Sequence, residues 1–441
     1  MKPLRWRIVG TVLVLGLGMG LGMSFPWSRA QDPVLPDGKK EAKAEKPRGK
    51  TIAEQAKERL EISEEDGRFT ILAYFPSKDH PKRTRWKITC STERAGTMGG
   101  PRETLCLHYA FFQPAPEAPE VQVLGLTYLA ESMVCYSDGV RYYDIGHHNN
   151  GLLEATTGDL GDRAFTLDKG KKLICEIRDR GLGWKVGGGD HHSRRGEELV
   201  IWGTLKAANY LYVVHFGFHD DGTIQTRMGS TGSNLSSHVG PEKSHTHLAL
   251  WRIDVDFGDR YANEVSLVRH REPFGGASNS TQVVEAFNGG RAGFADWNDK
   301  EFTVLRISNP KMKGKHGRPA SYDLISQRTG SARHFGASPD EGFTRHDYYV
   351  MPYKEDKDGQ ASQCDCTKLL DYVREGAPLA GKDIVLWHIT SAHHVPRQED
   401  MFGGGTGATC VVWSGFDLKP RDLFESTPFY GAARPKAAEK K

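Results

Sequence analysis

The sequence predicts an all-β protein, one large β-sandwich with few short helices, and three observations carry that expectation. β-branched and aromatic residues alternate with polar ones in run after run: 69–75, 85–90, 105–112, 121–130, 172–177, 199–205, 207–218, 223–228, 245–256 and 303–307. Glycine, aspartate and asparagine punctuate these runs, as in His219-Asp220-Asp221-Gly222, where the backbone reverses easily. A helical period is convincing only at 366–374. With 441 residues, 38% of them hydrophobic and 50 of them glycine, the chain can bury a sizeable core. One domain over 66–432 accounts for all the runs, and no internal repeat is visible.

Residues 1–30 read as a signal peptide or membrane anchor. Lys2, Arg5 and Arg7 open it, an apolar run spans 8–25, and Ser28-Arg29-Ala30 offers a small-x-small cleavage site before Gln31. Either way the body is exported, to the periplasm or the outside. Residues 31–65, rich in Lys, Glu, Pro and Ala, read as a flexible charged linker with a short exposed helix at 52–60, and 433–441 as a disordered basic tail. The formal net charge of +3 is small for this length and sits partly in the two ends, which argues against a nucleic-acid partner. Seven cysteines match neither a zinc ribbon nor a dense disulfide framework. An oxidising compartment admits one or two bridges, although Cys364-Asp365-Cys366 is too closely spaced to bridge to itself.

Within the domain, the run 245–256 carries the first chemistry. His245 and His247 are two apart, so on a strand both imidazoles leave one face at adjacent pleats, and Ala249, Trp251, Ile253 and Val255 continue that face as core. Leu248 and Leu250 make the opposite face apolar too, which predicts a central strand buried on both sides. Asp254 and Asp256 share that second face further along and suit a hard cation, calcium before magnesium. A third imidazole comes from His393-His394-Val395-Pro396-Arg397, after the apolar run 384–390, with Pro396 stiffening the backbone. All-nitrogen ligation suits copper, zinc or nickel, and copper(II) binds most tightly of these. Taken singly, each residue has a plainer reading. Tyr210 shares a strand face with Tyr212, Val214, Phe216 and Phe218, and Asp144, close to Gly146, could be a solvated turn carboxylate.

Taken together, Asn209-Tyr210-Leu211-Tyr212, His245-Thr246-His247 and His394-Val395-Pro396-Arg397-Gln398-Glu399-Asp400, in that order, resemble the catalytic domain of the copper amine oxidases. The resemblance runs from about Val121 to Tyr430. It takes in Leu129-Ala130-Glu131-Ser132-Met133-Val134, Tyr143-Asp144-Ile145-Gly146, Ile174-Cys175-Glu176, the stretch 345–353 and Phe416-Asp417-Leu418-Lys419-Pro420. It implies the family's supersandwich fold, copper held by His245, His247 and His394, and conversion of Tyr210, next to Asn209, into topaquinone by copper and dioxygen. Asp144 would be the catalytic base, Tyr136 would hydrogen-bond the quinone oxygen, and Tyr142 falls where the family keeps a channel gate. Asp254, Asp256 and Asp383 match the family's peripheral calcium site. The substrates implied are a small-molecule primary amine and dioxygen, the products an aldehyde, ammonia and hydrogen peroxide, and the assembly a homodimer.

The chemistry is coherent without the family label. A phenol is a poor electrophile, whereas a quinone offers a carbonyl to an attacking amine and takes up its electrons. Removing the proton from the carbon beside nitrogen then needs a buried base within hydrogen-bond reach. Departures from the family pattern mark a trimmed, divergent member. Leu211 stands where an acid is usual, only seven residues separate Tyr136 from Asp144, and Thr156-Thr157-Gly158-Asp159 replaces a disulfide partner, which leaves Cys175 unpaired. Met401-Phe402-Gly403-Gly404-Gly405 replaces a proline-bearing stretch. Two other functions fit the same residues: a metal-binding module of this fold without the quinone, and a zinc hydrolase using three histidines and a bound water.

Overall fold

Among the described residues, twenty-one strands form two antiparallel sheets whose inner faces pack against each other. The computed structural model describes residues 50–95, 102–186, 192–233, 244–271, 281–314, 316–330, 339–355, 363–397 and 409–424. The signal or anchor segment, residues 31–49 of the linker and the basic tail lie outside the described residues.

From the N-terminus run α1 (Ile52–Lys57), β1 (Leu60–Glu65), β2 (Arg68–Phe75), β3 (Thr84–Ala95), β4 (Arg102–Gln113), β5 (Val121–Tyr136), β6 (Arg141–Tyr143) and α2 (Asp144–His148). Next come β7 (Asn149–Leu152), α3 (Thr157–Leu160), β8 (Phe165–Thr166), β9 (Ile174–Val186), β10 (His192–Ala207), β11 (Tyr210–His219), β12 (Ile224–Gly232) and β13 (His245–Val255). The remainder is β14 (Glu264–Arg271), β15 (Thr281–Ala286), β16 (Gly293–Ala295), β17 (Val304–Lys313), β18 (Pro319–Gln327), β19 (Tyr348–Pro352), α4 (Leu369–Arg374), β20 (Ile384–His394) and β21 (Thr409–Arg421). The first sheet has the order β1-β2-β3-β4-β5-β13-β20-β19-β16, with β6 on β5. The second has the order β15-β14-β17-β18-β21-β12-β11-β10-β9-β8, with β7 on β10.

Aromatic side chains cross from one sheet to the other. Trp86 on β3 meets Phe218 on β11 with ring centroids 5.3 Å apart, and Trp251 on β13 meets Phe216 and Phe416 at 6.0 Å each. All eleven residues of β13 are buried, as a strand apolar on both faces requires. On its outer side the guanidinium of Arg252 lies over the Tyr353 ring and donates to the Leu126 carbonyl at 3.1 Å.

Two expectations are corrected. Residues 50–65 are not linker: α1 carries a capping box between Thr51 and Glu54, and β1 pairs with β2 from Leu60↔Ala73 to Glu65↔Arg68. Only Leu60 of β1 is buried. An edge strand that gains backbone bonds without burying side chains leaves no trace in hydrophobic content. Likewise 207–218 is not one strand. Ala207 pairs with Tyr210 across a two-residue turn at Ala208-Asn209, with Ala208 at φ +52°, so Asn209 sits in the turn and β11 begins at Tyr210. The expected helix at 366–374 is present as a 3₁₀ turn followed by α4. No disulfide joins any of the seven cysteines, and Cys175 is a buried thiol.

Because Trp251 anchors the contact between the sheets, Trp251→Ala is expected to destabilise the fold by about 3–5 kcal/mol, read from the denaturation midpoint. A loss under about 1 kcal/mol would mean that the sheets do not depend on this ring.

Candidate functional site

The site is built where β5, β13 and β20 lie side by side. The register pairs Tyr136 with His245 and His245 with His394, while His247 faces Val134 and Ala392 one pleat away. Residues directly opposite on neighbouring strands point to one face, so a phenol and two imidazoles form a row with the third imidazole beside it. The rings of Tyr136 and His394 each lie 4.7 Å from that of His245, and His247 lies 4.9 Å from it. Nδ1 of His394 is 3.0 Å from Nε2 of His245. One ring nitrogen from each of the three histidines falls within 4.8 Å of the others, and all three residues are buried.

That arrangement fits a metal ion. Nε2 of His247 is buried and has no hydrogen-bond partner among the described residues. Burial, reinforced by the neighbouring imidazoles, pushes His247 far below the ordinary histidine range, so the ring stays neutral and keeps a lone pair to donate. His393, facing Thr246 on the other side of the strand, bonds that hydroxyl at 3.0 Å and stands apart from the cluster.

The second sheet supplies Tyr210. Its hydroxyl is hydrogen-bonded to Nε2 of His245 at 2.8 Å, and its ring lies edge-on to His247 at 4.7 Å. Burial pushes the Tyr136 phenol up to about 12, against a lowering influence of the neighbouring Tyr210. Gly232, at φ +125° opposite Tyr210, is needed because a Cβ there would meet the Asn209 carbonyl at 2.5 Å and Tyr210 Cα at 2.9 Å. The Asn209 side chain donates to the Ser233 carbonyl at 2.5 Å and so ties the turn to the end of β12. Leu211 alternates with Tyr210 and Tyr212 along β11, so it faces away from the cluster, and the missing acid leaves no gap among these groups.

Asp144 opens the five-residue helix α2 and is buried. Desolvation raises its carboxyl to about 7, against a lowering hydrogen bond from the Tyr212 hydroxyl. A cavity of about 70 Å³ joins Asp144 to Tyr210, walled by Val134, Tyr136, Tyr142 and Ala208. Tyr142 stands edge-on to Tyr136 at 6.0 Å.

A second cluster lies at the far end of β13. Asp254, Asp256 and Asp383 are buried and bring one carboxylate oxygen each within 4.8 Å of the others. One oxygen of each lacks a hydrogen-bond partner among the described residues, and Arg260 approaches Asp383 at 3.4 Å. Desolvation raises Asp254 to about 7 and Asp256 to about 6, the state that a cation would relieve.

Two residues near the site have roles that only the folded structure shows. Tyr212 shares a strand face with apolar residues, yet its hydroxyl binds Asp144 and lies 3.4 Å from Nδ1 of His247; its spacing of two from Tyr210 is the available signal. Glu131, inside the stretch Leu129–Val134, carries no spacing signal, yet it accepts from the backbone N–H groups of Ile145 and Gly146 beside Asp144.

Fold and site together define a two-sheet β protein with a three-histidine centre beside a tyrosine. The profile described as copper amine oxidase, enzyme domain, matches residues 169–439, and the chain belongs to that family. It is 30% identical over 249 residues to copper amine oxidase 1 of Schizosaccharomyces pombe, covering 47% of this chain and 34% of that protein. It is 26% identical over 295 residues to the histamine oxidase of Arthrobacter globiformis, covering 60% and 42%. The chain thus spans about a third to two fifths of the length of these curated relatives. Among solved structures, Aspergillus nidulans amine oxidase superposes with a TM-score of 0.60 at 18% identity, over 93% of this chain and 56% of that one. The copper-containing benzylamine oxidase of Hansenula polymorpha gives 0.60 at 16% identity, over 90% and 64%. These two likenesses show the fold.

Added copper(II) is expected to raise the thermal midpoint, by the equivalent of about 4 kcal/mol at a thousandfold excess over Kd, and His247→Ala to remove most of that rise. An equal rise in the variant would separate metal binding from the three histidines.

Proposed function

We propose that this chain is an exported copper- and topaquinone-dependent primary-amine oxidase that works as a homodimer and converts a primary amine and dioxygen to an aldehyde, ammonia and hydrogen peroxide. The observation that carries this reading is the Tyr210 hydroxyl 2.8 Å from Nε2 of His245, inside the three-histidine cluster and beside Asp144. Membership in the copper amine oxidase family supports amine oxidation in general.

In this reading His245, His247 and His394 hold copper, and Tyr210 is the side chain converted to topaquinone. When bound, copper and the quinone supply the electron sink for the amine and the route by which dioxygen takes the electrons away. The protein's own groups do the rest. The cavity walls of Val134, Tyr142 and Ala208 keep the amine head between Tyr210 and Asp144 and exclude water. Asp144, ionised, takes the proton from the carbon beside the amine nitrogen, and the Tyr212 hydroxyl keeps that carboxylate aimed. Tyr136, buried and protonated, holds the oxygen of residue 210 in place. Asp254, Asp256 and Asp383 would hold calcium away from the chemistry, as a structural ion.

Protein loaded with copper(II) in air is expected to turn pink and to form a phenylhydrazine adduct on the peptide containing Tyr210. A colourless, hydrazine-inert copper protein would replace the oxidase with a metal-binding module. Asp144→Asn is expected to keep copper and colour while losing about 10²–10⁴-fold in amine turnover; full turnover would remove Asp144 as the base.

A base must be ionised to act, so with a carboxyl at about 7 the value of kcat/KM is expected to rise as pH increases toward 7 and to level above it. A profile flat from pH 5 to 8 would contradict this assignment.

A further inference from the structure

We propose that Glu131 is the positioning residue of the amine site: its buried carboxyl group clamps the first turn of α2 and thereby fixes where Asp144 points. The inference rests on the amine-oxidase reading above. At this place β5 carries a bulge. Leu250 of β13 faces Glu131 while Trp251 faces Leu129, which leaves Ala130 without a partner in that pairing. Such an extra residue re-aims the side chains beside it.

The re-aimed side chain is fully buried and finds three backbone donors. Oε1 accepts the N–H of Ser132 at 3.0 Å, of Ile145 at 2.9 Å and of Gly146 at 3.0 Å, and Oε2 accepts Gly146 again at 3.1 Å. Ile145 and Gly146 directly follow Asp144. Their amides belong to the first turn of a helix, where no intrahelical partner exists, and Tyr143 at the cap position contributes no side-chain bond. Glu131 therefore acts as the cap from another strand. Packing alone gives no reason for a carboxyl group here, because an apolar residue of similar volume would avoid its desolvation. Asp144 is thus held at two points, its backbone neighbours by Glu131 and its carboxylate by the Tyr212 hydroxyl.

Glu131→Asp keeps the carboxyl group and shortens the arm by one methylene; Glu131→Gln keeps the length and one accepting oxygen. Glu131→Asp is expected to bind copper and react with phenylhydrazine as wild type does, to lose about 10²-fold in kcat, as an ångström-scale misplacement of a reacting group does, and to change KM little. Amide exchange at Ile145 and Gly146 should quicken in the same variant, and Glu131→Gln should recover most of both properties. Wild-type kcat in Glu131→Asp would overturn the proposal. So would loss of copper or hydrazine reactivity together with turnover, since Glu131 would then act on the fold or the metal centre instead. If wild-type protein turns over no amine, the proposed function falls while the exchange measurement still decides the clamp: unchanged exchange at both amides overturns it.

Discussion

The register of three strands far apart in the chain governs the whole site. Pairing of His245 with Tyr136 on one side and His394 on the other puts a phenol and two imidazoles in one row. A slip of a single residue would bring Thr246, Cys135 or His393 to the inner face and send the histidines outward. Eleven consecutive pairs between β13 and β20 hold that register, which runs without a break from His245↔His394 to Val255↔Ile384. The same ladder serves the other end, roughly 30 Å away at a strand rise of about 3.3 Å per residue, where Asp254, Asp256 and Asp383 converge.

Packing the second sheet onto this row adds Tyr210 and sets the protonation states. Removal of water holds His247 neutral, keeps the Tyr136 phenol protonated and lifts Asp144 to about 7. Each shift has burial as its largest cause, so one physical act, covering the inner face of β5 and β13 with β11, produces a neutral imidazole able to take a metal and a carboxyl near neutrality. Family membership and the solved relatives' fold agree with this frame, in which rigid strands carry all three histidines and the tyrosine.

Asp144 is the exception, because it stands on a helix of five residues rather than on a strand. A helix so short has little stability of its own and takes its position from its neighbours. Glu131 bonds its backbone and Tyr212 its carboxylate. That contrast explains why the supporting residues gather around Asp144, while the histidines need no comparable bracing beyond their ladder.

The sequence by itself determined the strand-rich class, the buried character of β13 and the identity of the metal-ligand and tyrosine candidates. Those features rest on local alternation and on residue order, which survive in one dimension: His245 and His247 share a face because they are two apart, whatever lies across from them. The edge strand β1, the turn at Ala208-Asn209 and the bonds of Tyr212 and Glu131 to Asp144 and its helix were decided only in three dimensions. Their cause is pairing between distant segments and a positive φ at a residue that usually avoids it, neither of which leaves a periodic mark. Burial likewise belongs to the folded state, since no spacing reveals that the carboxyl at position 144 is buried beside a small cavity and raised to about 7 by desolvation.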